Sequence, residues 1–259
     1  MISDSRIDGG KAFDWGRVSG EYARFRDIYP PEFYEKIHSL GLCTRGQKVL
    51  DIGTGTGVLP RNMYRYGACF TGTDISENQI KAARELSKGM DISYKVCSAE
   101  DSDFPPESFD VITACQCYFY FKPDVFAPQA AKMLVSGGKM AFLYMAWLPY
   151  DDEIAGESER LILKYNPAWS GAGETRHDIF IDPAYDEFFT REELIRFDAD
   201  VPFTRESWNG RIKACRGVGA SLSEEDIRRF EAEHMAMLEK YPESFTVKHY
   251  CAFAVMRKK

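Results

Sequence analysis

The run Val49-Leu50-Asp51-Ile52-Gly53-Thr54-Gly55-Thr56-Gly57 constrains this chain more than any other stretch. Lys48-Val49-Leu50-Asp51-Ile52 is a short apolar run closed by glycines, which predicts a buried strand. Glycines directly after a strand permit a tight turn and let the backbone approach a ligand closely. A helix is expected from about Val58 to Tyr66, closed by Gly67. Its N-terminus, with free N–H groups and the macrodipole, would favour a carboxylate or phosphate.

The neighbouring sequence repeats this alternation. A second strand is expected over residues 70–74, then a helix opened by Ser76 in capping-box spacing with Gln79 and ended at Gly89. Further strands are expected over residues 92–97, 109–114 and 139–144, with a helix near 125–134 stopped by Gly137-Gly138. Upstream, Pro30-Pro31 followed by Phe33, Tyr34, Ile37, Leu40 and Gly41 reads as a helix. Strand alternating with helix argues for an α/β fold with a parallel sheet covered on both faces.

Residues 145–190 break the pattern, with no clear period but with Trp147, Tyr150, Tyr165, Trp169 and several glycines. A long irregular insertion of this kind suits a lid or binding element. Beyond it, Ile195, Phe197, Ala199 and Val201 alternate with charged residues as in a half-buried strand. A helix is expected from Ser223 to about Lys240, and Phe245, Val247, His249, Cys251, Phe253 and Val255 share one face of a closing strand.

The 259 residues suit one α/β domain. It divides into about 1–45 as N-terminal cap, 46–144 as core, 145–190 as inserted cap and 191–259 as the rest of the sheet. A net charge of −7, with cations spread along the chain, argues against a nucleic-acid partner. Aromatic residues at 14% suit an organic-ligand pocket. The N-terminus lacks the apolar core of a signal peptide, and no apolar stretch is long enough to span a bilayer. Seven cysteines without framework spacing fit reduced thiols and a cytoplasmic protein, and no membrane partner is expected. The oligomeric state stays open.

The glycine spacing discriminates among nucleotide-binding loops. A dinucleotide fingerprint would need a third glycine where Val58 stands, and no phosphate-loop Gly-Lys-Ser/Thr run occurs. G-x-G-x-G with an acid two residues earlier resembles motif I of the class I S-adenosylmethionine-dependent methyltransferases. Three later segments resemble that family in order and spacing: Gly72-Thr73-Asp74-Ile75-Ser76, Cys97-Ser98-Ala99-Glu100-Asp101, and Phe109 to Gln116. Within the family, the small-molecule type 11 subgroup is the nearest in pattern. Tyr22-Ala23-Arg24-Phe25-Arg26 with Tyr29-Pro30 resembles a stretch preceding the core in relatives of trans-aconitate methyltransferase.

The resemblance implies a Rossmann-like, seven-stranded class I methyltransferase sheet with an inserted cap. It also implies S-adenosylmethionine as cofactor, S-adenosylhomocysteine as product, and a small organic acceptor. It places Asp51, Gly53, Thr54, Gly55 and Gly57 around the methionine part, and Asp74, with Ile75 and Gln79, at the ribose. Ala99 and Glu100 fall at the adenine, Cys115 and Gln116 under the methyl group, and Tyr22 and Arg26 over the cofactor. The ribose assignment suits a carboxylate, which can accept from two hydroxyls at once.

Methyl transfer is an in-line displacement, in which alignment and desolvation supply much of the acceleration. A general base is required only when the acceptor is protonated. His177, in the insertion, is the candidate base; His249 reads as a core residue, and His38 and His234 as surface or packing residues. Cys115 and Cys117 form C-x-C without further ligands at matching spacing, so no metal is expected. Tyr118 and Tyr120 follow the Phe109 to Gln116 segment, in a run where related enzymes often carry His-Trp-Phe and this chain carries Phe119-Tyr120-Phe121. Tyr118, Tyr120, Trp147 and Trp169 are candidate acceptor-binding residues. Trp208-Asn209-Gly210-Arg211 resembles a W-x-G-R stretch after the sixth strand, where Arg211 would meet an anionic group. Two rival readings are an NAD-dependent oxidoreductase using Asp74 at the ribose and a cofactor-binding protein without catalysis.

Overall fold

The apolar run after Gln47 is strand β1 (Lys48–Ile52), buried at every residue but the first. With it lie β2 (Cys69–Asp74), β3 (Ile92–Val96), β4 (Phe109–Cys115), β5 (Leu134–Trp147), β6 (Phe189–Thr204) and β7 (Ser244–Lys258). The seven strands form one sheet in the order β3-β2-β1-β4-β5-β7-β6. The first five pair in parallel, with Val49 opposite both Phe70 and Val111. The computed structural model describes residues 5, 7–14, 17, 24–25 and 27–259. By contacts the chain divides into two compact units: Tyr29–Met145 with His177–Phe197 and Cys251–Lys259, and Met1–Ile28 with Ala146–Arg176 and Asp198–Tyr250.

The first unit holds the parallel half of the sheet. Helix α1 (Pro31–Ser39) precedes β1, and α2 (Val58–Met63), α3 (Glu77–Leu86) and α4 (Pro123–Met133) connect its strands. From β1 the chain moves outward through β2 to β3, then returns to the opposite side of β1 as β4. Crossovers between parallel strands are right-handed as a rule, so connections running to the two sides of β1 lie on opposite faces of the sheet. They also leave a crevice at the carboxyl ends of β1 and β4, where α/β sheets bind ligands.

Two boundaries differ from the sequence expectation. Helix α4 stops at Met133 and β5 begins at once, so Gly137-Gly138 lie inside the strand rather than before it. The pairing explains them: Phe109 faces Leu134 but Val111 faces Lys139, so the longer strand bulges where the glycines sit. Gly138 is tightly placed there, since a Cβ would stand 3.0 Å from the Val135 carbonyl and 3.1 Å from that of Asp110. In addition, α2 tightens into a 3₁₀ turn over Tyr64–Tyr66, closed as expected by Gly67 in the left-handed region.

The second unit corrects part of the reading of residues 145–190 as irregular. Glu153–Tyr165 is helix α5, capped by Asp152, whose carboxylate accepts from the Ala155 N–H. Helix α6 (Arg205–Lys213) opens with a reciprocal Thr204–Ser207 capping box, and α7 (Glu224–Leu238) opens on the expected Ser223 cap. The three helices share a buried polar hub at Ser158. Its hydroxyl accepts from Trp208 Nε1 at 2.9 Å and lies 3.0 Å from His234 Nε2. His234 Nδ1 is 2.8 Å from Asn209 Oδ1, and burial pushes this imidazole down to about 4, so it is a neutral packing element. Among the described residues, no helix is long and apolar enough to cross a membrane.

Candidate functional site

Three loops of the first unit meet at the crevice. Gly53, Gly55 and Gly57 all take positive φ, at 63°, 56° and 75°, so the turn after β1 is wound by glycine at alternate positions. Neighbours leave two of them no room for a side chain. A Cβ on Gly53 would stand 2.6 Å from Cys117 Sγ, and one on Gly57 would fall on the Tyr94 hydroxyl. The first contact joins the loops after β1 and β4, because the Cys117 thiol also donates to the Ile52 carbonyl at 3.1 Å.

Asp74 ends β2 and ties that strand to the glycine loop. One carboxylate oxygen accepts from the Gly55 N–H at 2.9 Å, the other from the Ser76 N–H at 2.8 Å. Ser76 in turn caps α3 by accepting from the Gln79 N–H, but its own N–H goes to Asp74, so only the Ser76 half of the expected capping box forms. Each carboxylate oxygen retains a second lone pair, which suits the acceptance of two hydroxyls. Burial raises the Asp74 carboxyl above the usual range, with the two N–H groups pulling it back. Beside it, Ile75 is 61% exposed, an apolar side chain presented rather than packed.

Asp51 lies beneath the loop, fully buried, and accepts from the Thr113 hydroxyl at 2.6 Å. Burial pushes its carboxyl up to about 6, opposed by the Thr113 and Thr54 hydroxyls and reinforced by the charge of Asp74. The folded value exceeds the unfolded one, so the native state holds the proton more tightly. This contribution to stability is largest below about pH 4 and is lost as pH rises through about 6. Asp51→Asn keeps an oxygen for Thr113 and removes the buried charge. It should therefore stabilise the fold by about 1–3 kcal/mol at pH 7, from ~1.4 kcal/mol per pKa unit. Denaturant titrations at pH 4 and 7 check this; a less stable variant at pH 7 would mean that the ionised carboxylate is required.

At the end of β4, Gln116 is held at φ 64°, a left-handed conformation that a non-glycine residue seldom takes. Its N–H donates to the Leu143 carbonyl at 2.9 Å and its side-chain amide donates to the Met145 carbonyl. Cys115 contacts the Tyr29 hydroxyl at 3.3 Å, and Tyr29 stacks on Phe33 with ring centroids 4.4 Å apart. In the loop after β3, Glu100 accepts from the Lys122 N–H at 2.8 Å, and Ala99 is buried. Thus the structure brings together Asp51, the glycine loop, Asp74, Ile75, Gln79, Cys115 and Gln116. Tyr22 and Arg26 lie outside the described residues. Sequence reasoning missed Cys117 and Tyr94, whose only signal was the glycines they face.

The candidate acceptor residues fall into two clusters. In the first unit, Tyr118 stacks on Phe142 at 5.0 Å and meets Tyr144 at 6.5 Å. Tyr120 packs on the half-exposed Phe119. In the second unit, Trp147, Trp169 and Arg211 are all buried. Trp147 lies 6.3 Å from Trp169, and the Arg211 guanidinium carbon lies 4.9 Å from the Trp147 ring centroid. Trp147 Nε1 donates to Glu159, whose carboxyl burial raises. Among the described residues no cluster of three or more His, Cys, Asp or Glu side chains could hold a metal ion.

Comparison with known proteins gives this geometry its class. A family profile described as a methyltransferase domain matches residues 50–142, the segment carrying all three loops. A ubiquinone biosynthesis O-methyltransferase of Idiomarina loihiensis is 30% identical over 241 residues, covering 89% of each chain. The enzyme of the same description from Neisseria meningitidis serogroup A is 33% identical over 133 residues, spanning 49% of this chain and 55% of that one. Among solved structures, Haemonchus contortus phosphoethanolamine N-methyltransferase 2, in complex with S-adenosyl-L-methionine, shares the fold. Its TM-score is 0.53 at 18% identity, over 92% of this chain and 57% of that one. The chain belongs to the class I S-adenosylmethionine-dependent methyltransferases. It is an enzyme of methyl transfer with S-adenosylmethionine as its cofactor, and neither the NAD-dependent nor the non-catalytic reading finds support.

Proposed function

We propose that this enzyme methylates a hydroxyl oxygen of a small organic acceptor, with the cofactor seated on the loops after β1, β2 and β4. The observation that carries the seating is Asp74, a carboxylate clamped by the Gly55 and Ser76 N–H groups at the mouth of the crevice. Asp74 would take the ribose hydroxyls, Ile75 and the Ala99–Glu100 loop the adenine, and the glycine turn with Asp51 the methionine part. When bound, the cofactor supplies an electrophilic methyl group on a sulfonium. The protein's share is to hold the acceptor in line and to exclude water, which offsets a large entropic cost. Gln116 serves this by fixing the carboxyl end of β4 against β5.

The oxygen acceptor is supported by the O-methyltransferase relatives and by the aromatic residues at the end of β4, which suit a ring-bearing acceptor. A trans-aconitate type of acceptor rests on Tyr22 and Arg26 and on Arg211, the last in the second unit. None of the seven cysteines is in a disulfide, which supports a reducing compartment such as the cytoplasm. Calorimetric titration with S-adenosylmethionine, S-adenosylhomocysteine and NAD in parallel is the test of the seating. The first two are expected to bind and NAD is not; binding of NAD alone would overturn it. A methyl-transfer screen of catechols, hydroxy acids and amines then tests the oxygen acceptor, which exclusive turnover of amines would overturn.

A further inference from the structure

The run after β4 contains no imidazole, yet one stands beside it. His177 lies with its ring centroid 6.0 Å from that of Tyr144, and Tyr144 in turn meets Tyr118 at 6.5 Å and Phe119 at 6.4 Å. Tyr144 follows Leu143, the β5 partner of Cys115, so this cluster sits beside the carboxyl end of β4, one of the two strands at the crevice. The segment bearing His177 is fixed by its neighbours. Ile179 and Ile181 are each 3% exposed, and Asp178 is paired with Arg196 at 3.0 Å.

The hydrogen bond made by the ring settles its tautomer. Nδ1 lies 2.9 Å from the Asp178 backbone oxygen. A carbonyl can only accept, so in the neutral ring Nδ1 carries the proton and the basic lone pair is on Nε2. The other described histidines are placed differently. His234 and His249 are fully buried, and His38 stacks on Tyr66.

We infer that His177 is the general base that deprotonates the acceptor hydroxyl, with Tyr144 and Tyr118 as the ring surface against which an aromatic acceptor lies. This rests on the oxygen-acceptor reading given above. Nε2 takes the hydroxyl proton as an oxygen electron pair forms the new bond to the methyl carbon. The methyl–sulfur bonding pair returns to sulfur, which loses its positive charge, and the proton leaves from the imidazolium to water.

The test uses two acceptors, catechol and 4-nitrocatechol, the second already ionised at neutral pH and in no need of a base. His177→Gln should lower kcat for catechol by about 100-fold or more, the scale of a lost general base, and remove the fall in rate at low pH. Turnover of 4-nitrocatechol and affinity for S-adenosylhomocysteine should stay within a few-fold of wild type. Nitrogen NMR of the protein without acceptor should show the Nδ1–H tautomer at His177. Equal losses with both acceptors, an unchanged catechol rate, or an Nε2–H tautomer would each overturn the base. Wild-type protein that binds the cofactor but methylates neither catechol overturns the aromatic acceptor against Tyr144, and the base falls with it, whereas turnover of amines alone overturns the oxygen-acceptor reading.

Discussion

Asp74→Ala is expected to weaken S-adenosylmethionine binding by more than about 10-fold, and the loss has two sources. Charge-assisted hydrogen bonds contribute roughly 1.5–3 kcal/mol each, so removing the acceptor for the ribose hydroxyls alone reaches that scale. The same substitution strips the partner from the Gly55 and Ser76 N–H groups, which loosens the glycine turn before any ligand arrives. Asp74→Asn separates the two, since its single amide oxygen can serve one N–H group while the amide nitrogen can only donate. An intermediate affinity for the asparagine variant is the expected result by calorimetry. Wild-type affinity in the alanine variant would remove Asp74 from the site.

Gly55→Val should abolish detectable binding. The position has φ 56°, a region where a β-branched residue is a genuine outlier. Valine must therefore leave it, and in leaving it breaks the N–H bond to Asp74 that registers the loop against β2. The strand itself is untouched, because Ile52 and its parallel partner Thr73 lie before the turn. A folded protein with near-native circular dichroism and no calorimetric signal is the expected outcome. Normal binding in this variant would overturn the placement of the loop.

How much of this was legible in the sequence varied with the physics of each segment. Strands β1 and β4 were readable because buried parallel strands are short, nearly unbroken apolar runs, and β1 is punctuated by its glycine exit. Caps were readable too: Ser223 and Ser76 accept the N–H groups that their spacing announced. Helix α5 was hidden by Gly156, which reads as a breaker. It stands there because the Pro149 carbonyl approaches within 2.6 Å of where a Cβ would be, a tertiary demand with no local signature. Gly137-Gly138 misled in the same way, since a bulge set by pairing with β4 looks like a stop from one strand alone.

The site divided along similar lines. Backbone-defined parts, the glycine turn and the strand-end acid, were visible because their chemistry demands particular residue types at fixed spacing. Cys117 under Gly53 and Tyr94 beside Gly57 were not, because any side chain of suitable shape could fill those places. His177 could be named but not placed. Its relation to Tyr144 joins residues far apart in the chain, and its tautomer depends on a carbonyl contact that composition does not encode.

The two units are interleaved in the chain, which passes between them after Ile28, Met145, Arg176, Phe197 and Tyr250. Inheritance is constrained by that weave. A single recombination breakpoint anywhere in the gene would split at least one unit, so neither can be shuffled into another protein as a cassette. Change in such a chain comes more readily by substitution and by small insertions at the crossing points than by exchange of either unit.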